Sequence, residues 1–323
     1  MAAFVLGYLS TWDQNNGFLR KLLSNYLKDF FMPMPTDVPV IDLMLSVPGE
    51  QNDNFYDFLK PLLMDEESRN MFKMPAQYMF KDIPQAGDQD DYVLYTIQQM
   101  DKHNIERAMI GISLGATTSY AFEALERFPD RFFCSYEANP NNGMEEVRKI
   151  VEMHEKYDIK AVTAFPSGLC PQVPVNDKKW YPIYAKCVEL DIVFCPCMGV
   201  PGPRFPMEPQ KVEHIDEVCW FFPELRIVMR HGCEPWTDLA WKLMLKWPNL
   251  HYSTSAFAPK HYPKNIVNFA NTRGADKVMY AGYFPMGLSL DRIFEEMPDV
   301  PFRDEVWPKF LRENAIRVFK LDQ

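Results

Sequence analysis

A (β/α)8 barrel of the TIM type is the fold this sequence predicts, with a helical arm ahead of it and a long insertion after its first strand. Three observations lead there. Eight short apolar runs rich in Val, Ile, Phe and Tyr recur between residues 38 and 282. Amphipathic segments at helical spacing follow them in alternation. The repeat is about thirty residues, the length of one strand–helix unit, and eight such units make a barrel.

The strand-like runs are 38–45, 107–113, 132–138, 159–165, 192–198, 225–231, 250–255 and 277–282. They lack strict period-two alternation, which suits parallel strands buried on both faces. The helical patterns are 90–103, 117–128, 143–157, 179–190, 210–222, 235–247, 262–273 and 289–296, and 303–320 reads as a terminal helix closing the barrel. No GxGxxG turn follows the first run, so a doubly wound dinucleotide-binding sheet has no support. Residues 1–37 form the arm. Phe18, Leu19, Leu22, Leu23, Tyr26, Leu27, Phe30 and Phe31 fall on one helical face there, to pack on the barrel or on a partner subunit. The barrel domain runs from 38 to 323, and its insertion, 46–89, is Pro-, Met- and Phe-rich, as a lid would be.

Composition narrows the class. The 323 residues carry a net charge of −10 and no basic run, which argues against nucleic acid as a partner. No stretch approaches a membrane-spanning length without charge, and the first residues lack the basic start of a signal peptide. Seven cysteines, an odd number mostly within apolar runs, read as reduced thiols in a cytoplasmic protein.

In a barrel the chemistry sits at the C-terminal strand ends. Run six ends in IVMRHGCEPW, placing His231 at the mouth with Glu234 and Trp236 just beyond. Run one carries Asp42 within apolar residues, either an acid or base of raised pKa or a structural hydrogen-bond acceptor. Run five holds Cys195 and Cys197, two apart and so on one face, and Arg204 follows in a Gly/Pro-rich loop. The thiols read as buried and inert. Arg204 suits either a substrate carboxylate or phosphate, held bidentately, or a surface acid. Run seven ends in Ser255, and Lys260 and His261 stand in the loop beyond. Beyond run eight stands Tyr283, whose phenol can donate a hydrogen bond to a developing oxyanion.

These blocks carry a resemblance. FPELRIVMRHGCEPW (222–236), KVMYAGYFP (277–285) and VPVIDLMLS (38–46) are similar to strand blocks of the amidohydrolase-related family that includes the aminocarboxymuconate-semialdehyde decarboxylase-like proteins. The resemblance implies a distorted TIM barrel, commonly a homodimer, acting as a hydrolase or non-oxidative decarboxylase on small carboxylated or carbonyl substrates. The family's strand-one metal ligands, His-x-His, are Met44 and Ser46 here, and its strand-eight Asp is Tyr283. Its strand-five His falls at Pro196 or Cys197, which leaves His231 of the set. A single histidine does not hold a divalent ion, so the expectation is a site with no metal and no cofactor.

The sequence therefore predicts a metal-independent hydrolase with His231 as general base. Tyr283, Asp42 and Glu234 share its catalytic set; Arg204, Ser255, His261, Cys197, Met44, Ser46 and Trp236 surround the substrate. A decarboxylase ranks second and a non-catalytic scaffold third.

Overall fold

Strands buried on both faces close on themselves when helices cover the outside. In a computed structural model, which describes residues 34–49, 56–70, 76–112 and 119–322, eight strands pair in the order β1 to β8. They are β1 (Val40–Asp42), β2 (Ile105–Ile112), β3 (Phe132–Glu137), β4 (Ala161–Ala164), β5 (Val193–Pro196), β6 (Ile227–Met229), β7 (Leu250–Ser253) and β8 (Val278–Met279). The strand pairings are parallel, from Val40↔Ile105 to Ser253↔Met279. The predicted TIM barrel is the observed fold; seven strands fall inside their predicted runs, and β2 begins two residues ahead of its run.

A short helix, α1 (Glu66–Asn70), lies in the insertion after β1. The remaining crossovers carry α2 (Tyr92–Lys102), α3 (Ser119–Arg127), α4 (Met144–Tyr157), α5 (Tyr181–Glu189), α6 (His214–Phe221), α7 (Thr237–Lys246), α8 (Lys264–Ala270) and α9 (Leu290–Glu296). Their starts follow local chemistry. Asp91 caps α2 by accepting the Leu94 N–H, and Ser289 caps α9 by accepting the Arg292 N–H. The hydrophobic core forms two shells. One lies between sheet and helices and includes Val40, Ile110, Phe194 and Trp307. The other fills the barrel with Ile41, Met109, Phe133, Val193, Val228 and Met279.

The floor of the barrel is the predicted terminal helix, divided into a π turn (Lys309–Glu313) and α10 (Asn314–Phe319). Ala315, Val318 and Phe319 join the inner shell, and the Phe319 ring meets Phe133 at 6.1 Å. Arg107 and Arg226 fasten this segment by donating to the carbonyls of Leu321 and Val318.

The β8–β1 seam is joined differently. A bridge pairs Leu45 with Phe284 beyond both strand ends, where the Ser46 N–H donates to the Phe284 carbonyl at 2.9 Å. Below it, Asp42 Oδ1 accepts the Gly282 N–H at 2.8 Å and the Met44 N–H at 2.9 Å. No helix among the described residues is long and apolar enough to cross a membrane. The expected arm lies almost wholly outside the described residues.

Candidate active site at the barrel mouth

The C-terminal strand ends open into a cavity of about 1320 Å³. Met44 and Ser46 line it from beyond β1, Gly111 from β2, Ser135 and Glu137 from β3, and Thr163 from β4. Cys197, Arg230, His231 and Tyr283 line it from beyond β5, β6 and β8. The insertion contributes Phe58, Leu59, Met79 and Phe80 to its walls.

Two charged residues outside the expected set, Glu137 and Arg230, also line it. On β3, Tyr136 faces the helices and donates to Glu146 of α4 at 2.9 Å, while Glu146 also accepts the Asn139 N–H. This pins the strand end, and alternation turns the next side chain, Glu137, inward. Glu137 is exposed, but only into the cavity, and the walls around its carboxylate displace part of its water, which raises its pKa against the pull of Arg230. Arg230 pairs in register with Cys197, so both side chains take the same face. Arg230 is 7% exposed as a residue; its guanidinium touches Cys197 Sγ at 3.4 Å and leaves Nε buried with no hydrogen-bond partner. It makes no ion pair with any carboxylate among the described residues. The legible signal for both was a charge at the C-terminal end of an apolar run.

His231 also faces the cavity, although it directly follows Arg230. Consecutive strand residues point to opposite faces, but His231, Gly232 and Cys233 have φ of 63°, 85° and 59°. This left-handed stretch ends β6 and turns both side chains to one space. Gly232 is required there, because a Cβ would meet the Phe257 ring at 2.3 Å. Ser255 holds the histidine: its Oγ accepts the His231 N–H at 3.0 Å and lies 3.2 Å from Nδ1. The Tyr283 ring packs edge-on at 5.7 Å. Burial, then the Arg230 charge, lowers the His231 pKa to about 3. The imidazole is therefore neutral at pH 7 and a weak base, which conflicts with the general-base role expected of it.

The other expected residues divide by position. Glu234 and His261 line the cavity with Met44, Ser46, Cys197 and Tyr283. Burial pushes the Cys197 thiol up to about 11 and raises the Tyr283 phenol, so both stay protonated. Ser255 stands behind His231, fully buried. Asp42 lies below the mouth at the β8–β1 seam, where burial raises its pKa to about 6. Trp236 packs against the outer shell at the start of α7. Arg204 does not line the cavity. Its guanidinium ties the loop after β5 to the insertion through Asp65 at 2.9 Å and Glu67 at 2.8 Å, and stacks over Tyr78. The expected substrate arginine is thus a rim ion pair, with its Nη1 shared between two acids.

The fold and mouth geometry define a class, and comparison with known proteins gives it a name. The family model described as Amidohydrolase matches residues 65–321, and the chain belongs to that family. No curated protein matches the chain by sequence. Among solved structures, it is similar to an uncharacterized TIM-barrel protein from Bordetella bronchiseptica (TM-score 0.66, 20% identity, 88% of this chain and 99% of that one). It is also similar to 2,6-dihydroxybenzoate decarboxylase from Rhizobium (TM-score 0.61, 15% identity, 88% and 100%). A third is 5-carboxyvanillate decarboxylase from Novosphingobium aromaticivorans, solved with bound manganese (TM-score 0.61, 15% identity, 90% and 100%).

The residues present here do not fit such an ion. At the places of the family's ligands stand a thioether, a hydroxyl, a thiol held protonated and a phenol beside His231, and the other potential ligands of the lining, His261, Glu137 and Glu234, do not gather around it. No group of three His, Cys, Asp or Glu among the described residues is placed to hold a metal. The Arg230 guanidinium, in contact with Cys197 Sγ, adds a fixed positive charge to the same space.

Proposed function

We propose that this chain is a metal-independent hydrolase that adds water to an activated carbonyl of a small, cyclic or carboxylated substrate. The observation that carries the reading is Glu137: a carboxylate of raised pKa, open to the cavity, with no hydrogen bond to any described residue. Such a group takes a proton from water better than an ordinary carboxylate. The water oxygen attacks the carbonyl carbon as its proton passes to Glu137, and the carbonyl π electrons move onto oxygen.

The oxyanion then needs donors. Ser255 Oγ accepts one N–H and satisfies its own proton by donating to His231 Nδ1, which places the imidazole hydrogen on Nε2. No described residue accepts from that Nε2–H. His231 Nε2–H and the Tyr283 hydroxyl are the two donors we assign to the oxyanion. Glu137 next returns its proton to the leaving atom, and the carbon–leaving-group bond breaks.

Turnover of a panel of lactones and activated cyclic ketones, with ¹⁸O water as tracer, tests this. Glu137→Gln should lower kcat about 10²- to 10⁴-fold, the usual worth of a positioned acid–base. A variant with full activity removes the assignment. Decarboxylation is the second reading, favoured by the same Glu137, which when protonated can quench a carbanion. CO2 release without ¹⁸O incorporation would put it first.

A further inference from the structure

The Arg230 guanidinium is a buried charge that makes no ion pair among the described residues. Its Nε has no partner, and the Cys197 thiol that its Nη2 touches is neutral and a weak acceptor. Burying a cation this way is costly unless something supplies the missing negative charge. Glu137 faces the same space and lowers the cost, but the two make no ion pair. Most other cations of the lining are already compensated. Lys149 pairs with Glu145, and Lys260 and Arg292 pair with Glu296, while Lys81 and Arg230 make no ion pair among the described residues. A buried guanidinium that borders a cavity without a carboxylate paired to it is a place for an anionic group.

We propose that Arg230 is the fixed cation of this site: it takes a carboxylate of the bound molecule as its counter-ion, and its charge makes the cavity refuse a divalent metal. The planar guanidinium presents donors in a fork that matches a carboxylate. The remaining walls say what the carboxylate is attached to. Phe58, Phe80, Phe165, Phe257 and Met286 line a space far larger than a carboxylate needs, so the body of the ligand is bulky and apolar. The inference rests on the reading of this cavity as the active site.

Isothermal titration of the full chain at pH 7.5 tests it with three probes: 2-naphthoate, its neutral analogue 2-naphthamide, and MnCl2. Naphthoate should bind about tenfold or more tighter than naphthamide, as a charge-assisted contact gives. MnCl2 should give no stoichiometric binding. In Arg230→Gln the preference for naphthoate should fall to about onefold, and circular dichroism reports whether that variant folds. The wild-type arms decide the matter even if it does not. Equal binding of the two naphthalenes, no binding of either, stoichiometric manganese, or a folded Arg230→Gln that keeps the preference would each overturn the proposal. Glu137→Gln separates this from the hydrolytic reading. If the naphthoate preference survives there while activity is undiminished, the anion site stands and the base assignment fails.

Discussion

Asp42→Asn should stabilise the protein at neutral pH. Asp42 is fully buried, and Oδ1 already accepts the N–H groups of Met44 and Gly282. An asparagine oxygen can accept both. Oδ2, buried beside the Tyr280 hydroxyl, has no well-formed hydrogen bond, and an amide there can donate to that hydroxyl instead. Burial raises the carboxyl pKa from 3.8 to about 6, so the charged form is disfavoured in the folded state. The stability contributed by protonated Asp42 is full below 3.8 and is lost as pH rises through 6. The interval, at about 1.4 kcal/mol per pH unit, makes the charge cost about 3 kcal/mol at pH 7. Urea unfolding of the two proteins at pH 7.5 and pH 4 measures it. The variant should be more stable by up to about 3 kcal/mol at pH 7.5, and the advantage should vanish by pH 4. A variant less stable at pH 7.5, or a gain of equal size at both pH values, would refute the reasoning.

Two further outcomes follow from the same structure. His251 is buried, and burial followed by the charges of Lys277 and Arg317 lowers its pKa from 6.5 to about 3. Its contribution is present above 6.5 and lost as pH falls toward 3, so His251→Gln should lose about 2 kcal/mol less between pH 8 and pH 5 than the wild type, by denaturant titration. Phe319 is fully buried in the barrel floor, and Phe319→Ala should lower stability by about 3–5 kcal/mol, read as a fall in the urea midpoint.

The fold was legible because it depends on periodicity, and periodicity survives in one sequence. Strand ends were less so: run six extends to His231, but β6 stops at Met229 because the backbone turns left-handed at the histidine. That turn also hid Arg230. By simple alternation His231 and Arg230 point to opposite faces, so choosing the histidine excluded its neighbour. Glu137 was missed for a different reason, since a single acid ending FFCSYE looks like an ordinary exposed loop residue until the strand is placed inside a barrel. Arg204 was chosen from its Gly/Pro-rich loop. Asp65 and Glu67, which claim it, lie 139 and 137 residues away in the chain, beyond any local pattern.

The barrel floor bears on the order of events during synthesis. Every strand is made before the segment that seals the space they enclose: Ala315, Val318, Phe319 and Leu321 all come after β8. Phe133, Val193 and Val228 therefore owe their cover from below to Phe319 and its neighbours, a part of the chain that contributes no strand to the barrel it seals.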